Sequence, residues 1–105
     1  MAELLQLKTA SWDASVQKQQ MVALSLALRR LLQSKSGVNL TSISTSEVEL
    51  AAQPHIKRSG LQQLVQILRL TDAVKFARFH APEVECRTAV DEAIQLVRGM
   101  FKQTT

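Results

Sequence analysis

The sequence predicts an all-α domain, a small bundle of four or five helices. Three observations point there. Apolar residues return every three or four positions through three long stretches, the period of a helix buried along one side. The run Ser44-Thr45-Ser46-Glu47 carries the signature of a capped helix start. No two alternating apolar and polar segments offer themselves as a pair of strands.

In chain order, residues 1–12 read as an N-terminal tail or an appended segment, and 13–103 as one helical domain. The opening MAELLQLK begins with an acid and is too short in apolar residues for a secretory signal. The first helix is expected from about Asp13 to Ser34. Met21, Leu24, Leu28, Leu31 and Leu32 fall at helical spacing, Val22 and Leu26 widen the stripe, and Trp12 and Val16 extend it. A stripe that wide suits a central helix touched by several others. Gly37 is the expected stop, since glycine adopts the left-handed conformation that ends a helix.

Val38 to Thr45 is rich in Ser, Thr and Asn, residues that favour turns and caps. At its end Ser44 and Glu47 are spaced to satisfy each other's backbone amides, with Ile43 and Val48 at the hydrophobic staple positions. A short helix over 45–52 follows, and Pro54 ends it. A third helix starts near Ser59 or Gly60, with Leu61, Leu64, Val65 and Leu68 on one face. Asp72 to His80 is ambiguous between helix and strand, and a short helical turn or irregular link is the preferred reading. The last helix is marked by Pro82 at its first turn, Glu83 and Glu85 near the positive end of its dipole, and Arg98 and Lys102 near the negative end. Cys86, Val90, Ala93, Ile94, Val97 and Phe101 form its expected buried stripe.

With 105 residues, 46% of them hydrophobic, there is room for one small domain and too much apolar character for a disordered chain. One cysteine excludes an internal disulfide, and adding two histidines still leaves too few donors for a structural zinc cage. No uncharged apolar run reaches the roughly 20 residues that span a bilayer, so the stretch reads as soluble. The net charge of +4 is unevenly spread. Lys57, Arg58, Arg69, Lys75 and Arg78 face only Asp72 in one segment, whereas Glu83, Glu85, Asp91 and Glu92 face only Arg87 in the next. That pattern describes a dipolar surface more than a uniform phosphate groove.

Reactive chemistry is thin. Cys86 lies on an apolar stripe and reads as a small core hydrophobe, not a nucleophile. His55 and His80 flank loops and helix ends, and adjacent Asp91 and Glu92 project in different directions from a helix. No phosphate-binding, nucleophile-elbow or zinc-protease motif occurs, so neither catalysis nor a cofactor is expected. The lesser functional reading is a helix–turn–helix-like nucleic-acid module. A capped helix over 45–52 followed by an apolar-periodic one over 60–71 has that outline, with Lys57, Arg58, Gln62, Gln63 and Arg69 as candidate contacts.

The run LRLTDAVKFARFHAPEVECRTAVDEAIQLV, Leu68 to Val97, and the upstream ALRRLLQSKSGVNLTSISTSEVEL, Ala27 to Leu50, carry a resemblance. Together they resemble the cytoplasmic C-terminal domain of BatD-like, membrane-anchored bacterial proteins of aerotolerance-type operons. The likeness covers about residues 23–100 and is most specific from Asp72 through Phe79 with Pro82. It implies a cytoplasmic tail whose partners are a MoxR-type ATPase or a von Willebrand factor A domain protein. It also implies a membrane-spanning segment and a periplasmic portion, neither of which lies within these residues. On this reading Lys75, Arg78, Phe79 and His80 form a candidate docking face for an acidic protein partner, while Phe76 is expected to be structural.

Overall fold

The structure, a computed structural model, describes residues 2–37, 39–76 and 80–102, with the side chains of 35, 36 and 100–102 outside that description. It is the all-α bundle that the sequence predicts, with five helices and no strand among the described residues. They are α1 (Ala2–Thr9), α2 (Gln17–Ser36), α3 (Thr45–Ala52), α4 (Arg58–Phe76) and α5 (Glu83–Lys102). Helix α2 is the hub and packs against α1, α4 and α5. Helix α4 also packs against α3 and α5, and α1 closes the far side against α5.

The central position of α2 follows from its wide stripe. Met21, Leu24, Ala27, Leu28 and Leu32 are all buried, and they meet Leu64 and Leu68 of α4 and Val90 and Val97 of α5 in one continuous core. The helix begins at Gln17, four residues after the expected start, because Asp13 folds the chain into a turn first. Its carboxylate accepts from the Ser15 amide at 3.0 Å and from the Ser15 and Ser11 hydroxyls. Those hydroxyls hold the Asp13 carboxyl below the usual carboxylate range. At the other end Gly37 stops the helix with φ 76° and donates its amide to the Gln33 carbonyl at 2.8 Å.

Helix α3 spans the expected residues, and both halves of the capping box form. The Glu47 amide donates to Ser44 Oγ at 3.3 Å, and the Ser44 amide donates to Glu47 Oε1 at 3.3 Å. Val48 is fully buried and Ile43 packs against the same core, which completes the staple.

Two segments depart from expectation. The first is the N-terminus, which is a helix and not a tail. Leu4 and Leu7 are buried, and Trp12 lies beside them with its indole Nε1 donating to the Leu7 carbonyl at 3.0 Å. A helix this short needs tertiary contact to be stable, and α1 finds it on α2 and α5. The second is Asp72 to His80, read as a short helical turn or irregular link: 77–79 lie outside the described residues, and Asp72 to Phe76 continues α4 without a break. Its buried stripe runs Leu64, Ile67, Leu68, Thr71, Val74, with a threonine at an apolar position. The Thr71 hydroxyl satisfies itself by donating to the Leu68 carbonyl at 2.6 Å, so burial costs little. Phe76, expected in the core, is instead 76% exposed at the helix end.

Helix α5 buries Cys86, Val90, Ala93, Ile94 and Val97 as expected; the Phe101 side chain lies outside the described residues. Pro82 stands just before the helix, and its carbonyl accepts from the Glu85 and Cys86 amides. The preceding Ala81 is anchored to the start of α2. Gln17 Nε2 donates to the Ala81 carbonyl at 2.8 Å, and the Ala81 amide donates back to Gln17 Oε1 at 2.9 Å.

Candidate functional site

Two concave surfaces on this bundle gather most of the candidate residues that the structure describes. The first is a crevice of about 450 Å³ where the end of α4 meets the middle of α2 and the loop before α3. Its apolar lining is Val22, Leu26, Ile43 and Phe76. Val22 and Phe76 are two of only five large hydrophobic side chains exposed among the described residues. Lys75 also lines it, with Nζ 5.0 Å from the centroid of the Phe76 ring, in cation–π range.

Arg29 forms part of the crevice wall although its own side chain is only 6% exposed. Nε donates to Ser25 Oγ at 3.2 Å, and Nη1 donates to the carbonyls of Leu40, at 3.1 Å, and Ile43. A guanidinium reaches two carbonyls and a hydroxyl at once because its donors diverge in a fixed plane. It thereby pins the loop that brings Ile43 into the crevice. On the opposite wall, Thr45 Oγ1 donates to Asp72 Oδ2 at 2.5 Å, which ties the first residue of α3 to α4. The crevice is therefore a mainly apolar slot whose lining also carries the Lys75 ammonium and the tethered Asp72 carboxylate.

Of the four candidate docking residues, Lys75 is in this crevice. His80 is exposed but is not among the lining residues, and Arg78 and Phe79 lie outside the described residues. What the sequence reading missed is Arg29. Of the adjacent Arg29 and Arg30, only Arg30 is at the surface, 3.6 Å from Glu3. Position within the stripe was the available signal, since Arg29 falls one residue after Leu28 and four after Ser25, in the run Leu24–Arg29 whose residues are all buried or half-buried.

The second surface is the groove between α3 and α4, about 810 Å³. Arg58, Gln62 and Arg69 line it together, whereas Lys57 and Gln63 turn into a separate groove against Leu96 and Gly99 of α5. The five candidate nucleic-acid contacts are thus divided between two faces. Comparison with protein-family models, curated proteins and solved structures gives no match to this chain.

Reactive groups stay apart from both surfaces. Cys86 is fully buried, and burial, reinforced by Glu85 and Glu83, pushes its thiol pKa up and keeps the weakly nucleophilic protonated form. Among the described residues no three His, Cys, Asp or Glu side chains gather as a metal site. No described helix is long and apolar enough to cross a membrane.

Proposed function

We propose that this chain is a non-catalytic protein-interaction domain, the cytoplasmic tail of a BatD-like membrane-anchored protein. On this proposal it works with a MoxR-type ATPase and a von Willebrand factor A domain protein. The observation that carries the docking part is the convergence of Val22 and Phe76, both exposed, on one crevice beside Lys75. An aromatic ring held in the open at a helix end contributes nothing to the core, and interfaces are enriched in such side chains. The Lys75 ammonium gives the slot a preference for a partner that pairs an aliphatic or aromatic side chain with a carboxylate. The family part rests on the Leu68–Val97 stretch, in which Phe76 and Lys75 themselves lie.

The test is a pull-down of each purified partner, with the affinity of any complex then measured. One of the two is expected to bind at micromolar concentration. Phe76→Ala is expected to weaken that complex by about thirtyfold, the roughly 2 kcal/mol typical of a central aromatic anchor. Absence of binding by both partners would sink the proposal. Duplex DNA, titrated at two salt concentrations, serves as the rival: tight binding that collapses as salt rises would favour the nucleic-acid reading.

A further inference from the structure

Asp72 is the one acidic side chain lining the crevice where α2, α4 and the loop before α3 meet. It is half-buried, and its Oδ2 accepts from the Thr45 hydroxyl. Among the described residues nothing donates to its other oxygen, Oδ1, and neither Arg29 nor Lys75, which share the lining, forms an ion pair with it. The Thr45 bond holds the carboxylate in place, so the crevice offers one positioned acceptor beside the apolar side chains of Val22, Leu26, Ile43 and Phe76. At about 450 Å³ it falls in the size range of clefts that enclose a small ligand or a large side chain.

An apolar slot with one open acceptor is complementary to a flat apolar group that carries a donor and no acceptor. Among side chains that group is the indole of tryptophan. Its ring N–H only donates, whereas a tyrosine hydroxyl also accepts and a phenylalanine ring has no such group. Indole is also the best partner for a cation over its face, and Lys75 Nζ already lies 5.0 Å from the centroid of the Phe76 ring. We propose that the crevice is the receptor for one tryptophan side chain of a protein partner. The ring packs on Val22, Leu26, Ile43 and Phe76, and its N–H donates to Asp72 Oδ1. This inference rests on the docking reading of the crevice and narrows the partner's anchor from any aliphatic or aromatic side chain to an indole. A leucine or phenylalanine anchor would close over the open oxygen without giving it a donor, and sites built to pair a polar group reject ligands that lack it.

Three capped tetrapeptides test this on the full chain by backbone amide NMR titration. One is Gly-Trp-Glu-Gly, with its acid available to Lys75; the second has 1-methyltryptophan in place of tryptophan, and the third has phenylalanine. The tryptophan peptide should bind about tenfold more tightly than either of the others, the scale of a hydrogen bond to a charged acceptor, with shifts centred on 22–29, 41–45 and 72–76. In Asp72→Asn the amide oxygen can keep the Thr45 bond while the NH2 group replaces the open acceptor, so the advantage of tryptophan should vanish. The methylated peptide asks the same question of the unaltered chain, whether or not that variant folds. Equal affinity for the tryptophan and methylated peptides, an advantage that survives in folded Asp72→Asn, or shifts centred elsewhere would overturn the proposal. If the phenylalanine peptide binds as well as the tryptophan peptide and Phe76→Ala weakens both, the indole is excluded and the docking reading stands. Failure of all three at millimolar concentration would overturn the indole receptor alone, because the docking reading is decided by the pull-down with whole partners.

Discussion

Gln17 and Arg29 are polar side chains shut inside an apolar interior, and both direct their hydrogen bonds at backbone that no helix satisfies. Gln17 pairs with both polar groups of Ala81, and Arg29 with the carbonyls of Leu40 and Ile43. Such residues do not drive collapse; they fix which loop sits where. Truncation would leave the Ala81 amide and carbonyl buried without partners, so Gln17→Ala is expected to cost about 2 kcal/mol or more in a denaturant melt. Gln17→Glu separates the two bonds. Its carboxylate can accept from the Ala81 amide but lies against the Ala81 carbonyl, and burial raises its pKa above the unfolded value. The destabilisation should therefore be greatest at neutral pH and shrink as pH falls into the carboxylate range, which a pH series of melts will register.

At the scale of single helices, α3 shows how much can rest on local chemistry. It has only eight residues, two of them buried, and its start is held by the reciprocal bonds of Ser44 and Glu47. Ser44→Ala should cost about 1 kcal/mol in thermal or denaturant unfolding. Because the crevice is built on the loop entering α3, the same change should also weaken any ligand of the Phe76 surface. This helix was legible in the sequence to the residue, since the capping box, the staple and Pro54 are all local signals. The Gly37 stop and the stripe of α5 were legible for the same reason, whereas Val22, expected to widen the stripe of α2, is exposed. Helix α1 was not, because Leu4 and Leu7 amount to a single helical spacing and only contact with α2 and α5 gives them meaning. The end of α4 was obscured by Thr71, whose hydroxyl hides its own polarity in a bond to the preceding turn. Phe76 was misplaced because aromatic residues are only 4% of the chain and a small core was expected to take up some of those in this segment. Of the residues lining the crevice, Lys75 alone had been singled out from the sequence as a docking candidate. Arg29 and Val22 join it only through the crossing of α2 and α4.

For the molecule as a whole, the core has no spare helix. The chain fits within about 40 × 24 × 20 Å, and α1 covers a side of α2 and α5 that would otherwise face water. Leu4, Leu7 and Trp12 are each buried, and at about 1.5–3 kcal/mol for each such side chain their removal approaches the whole stability of an ordinary domain. Deleting residues 1–12 is thus expected to abolish the cooperative thermal transition followed by circular dichroism. A tail of no structural consequence would leave the transition where it was.

The Gln17–Ala81 pair also bears on how fast the molecule comes apart. Its two residues are 64 positions apart along the chain, so closing that loop requires α2, α4 and the start of α5 to have docked already. A contact so costly in loop entropy is expected to form after the folding barrier, with a φ value near zero. In stopped-flow measurements Gln17→Ala should leave the refolding limb of the chevron almost in place and lift the unfolding limb by nearly the whole change in stability. That outcome would make the pair a latch on the native state, one whose loss shortens its lifetime.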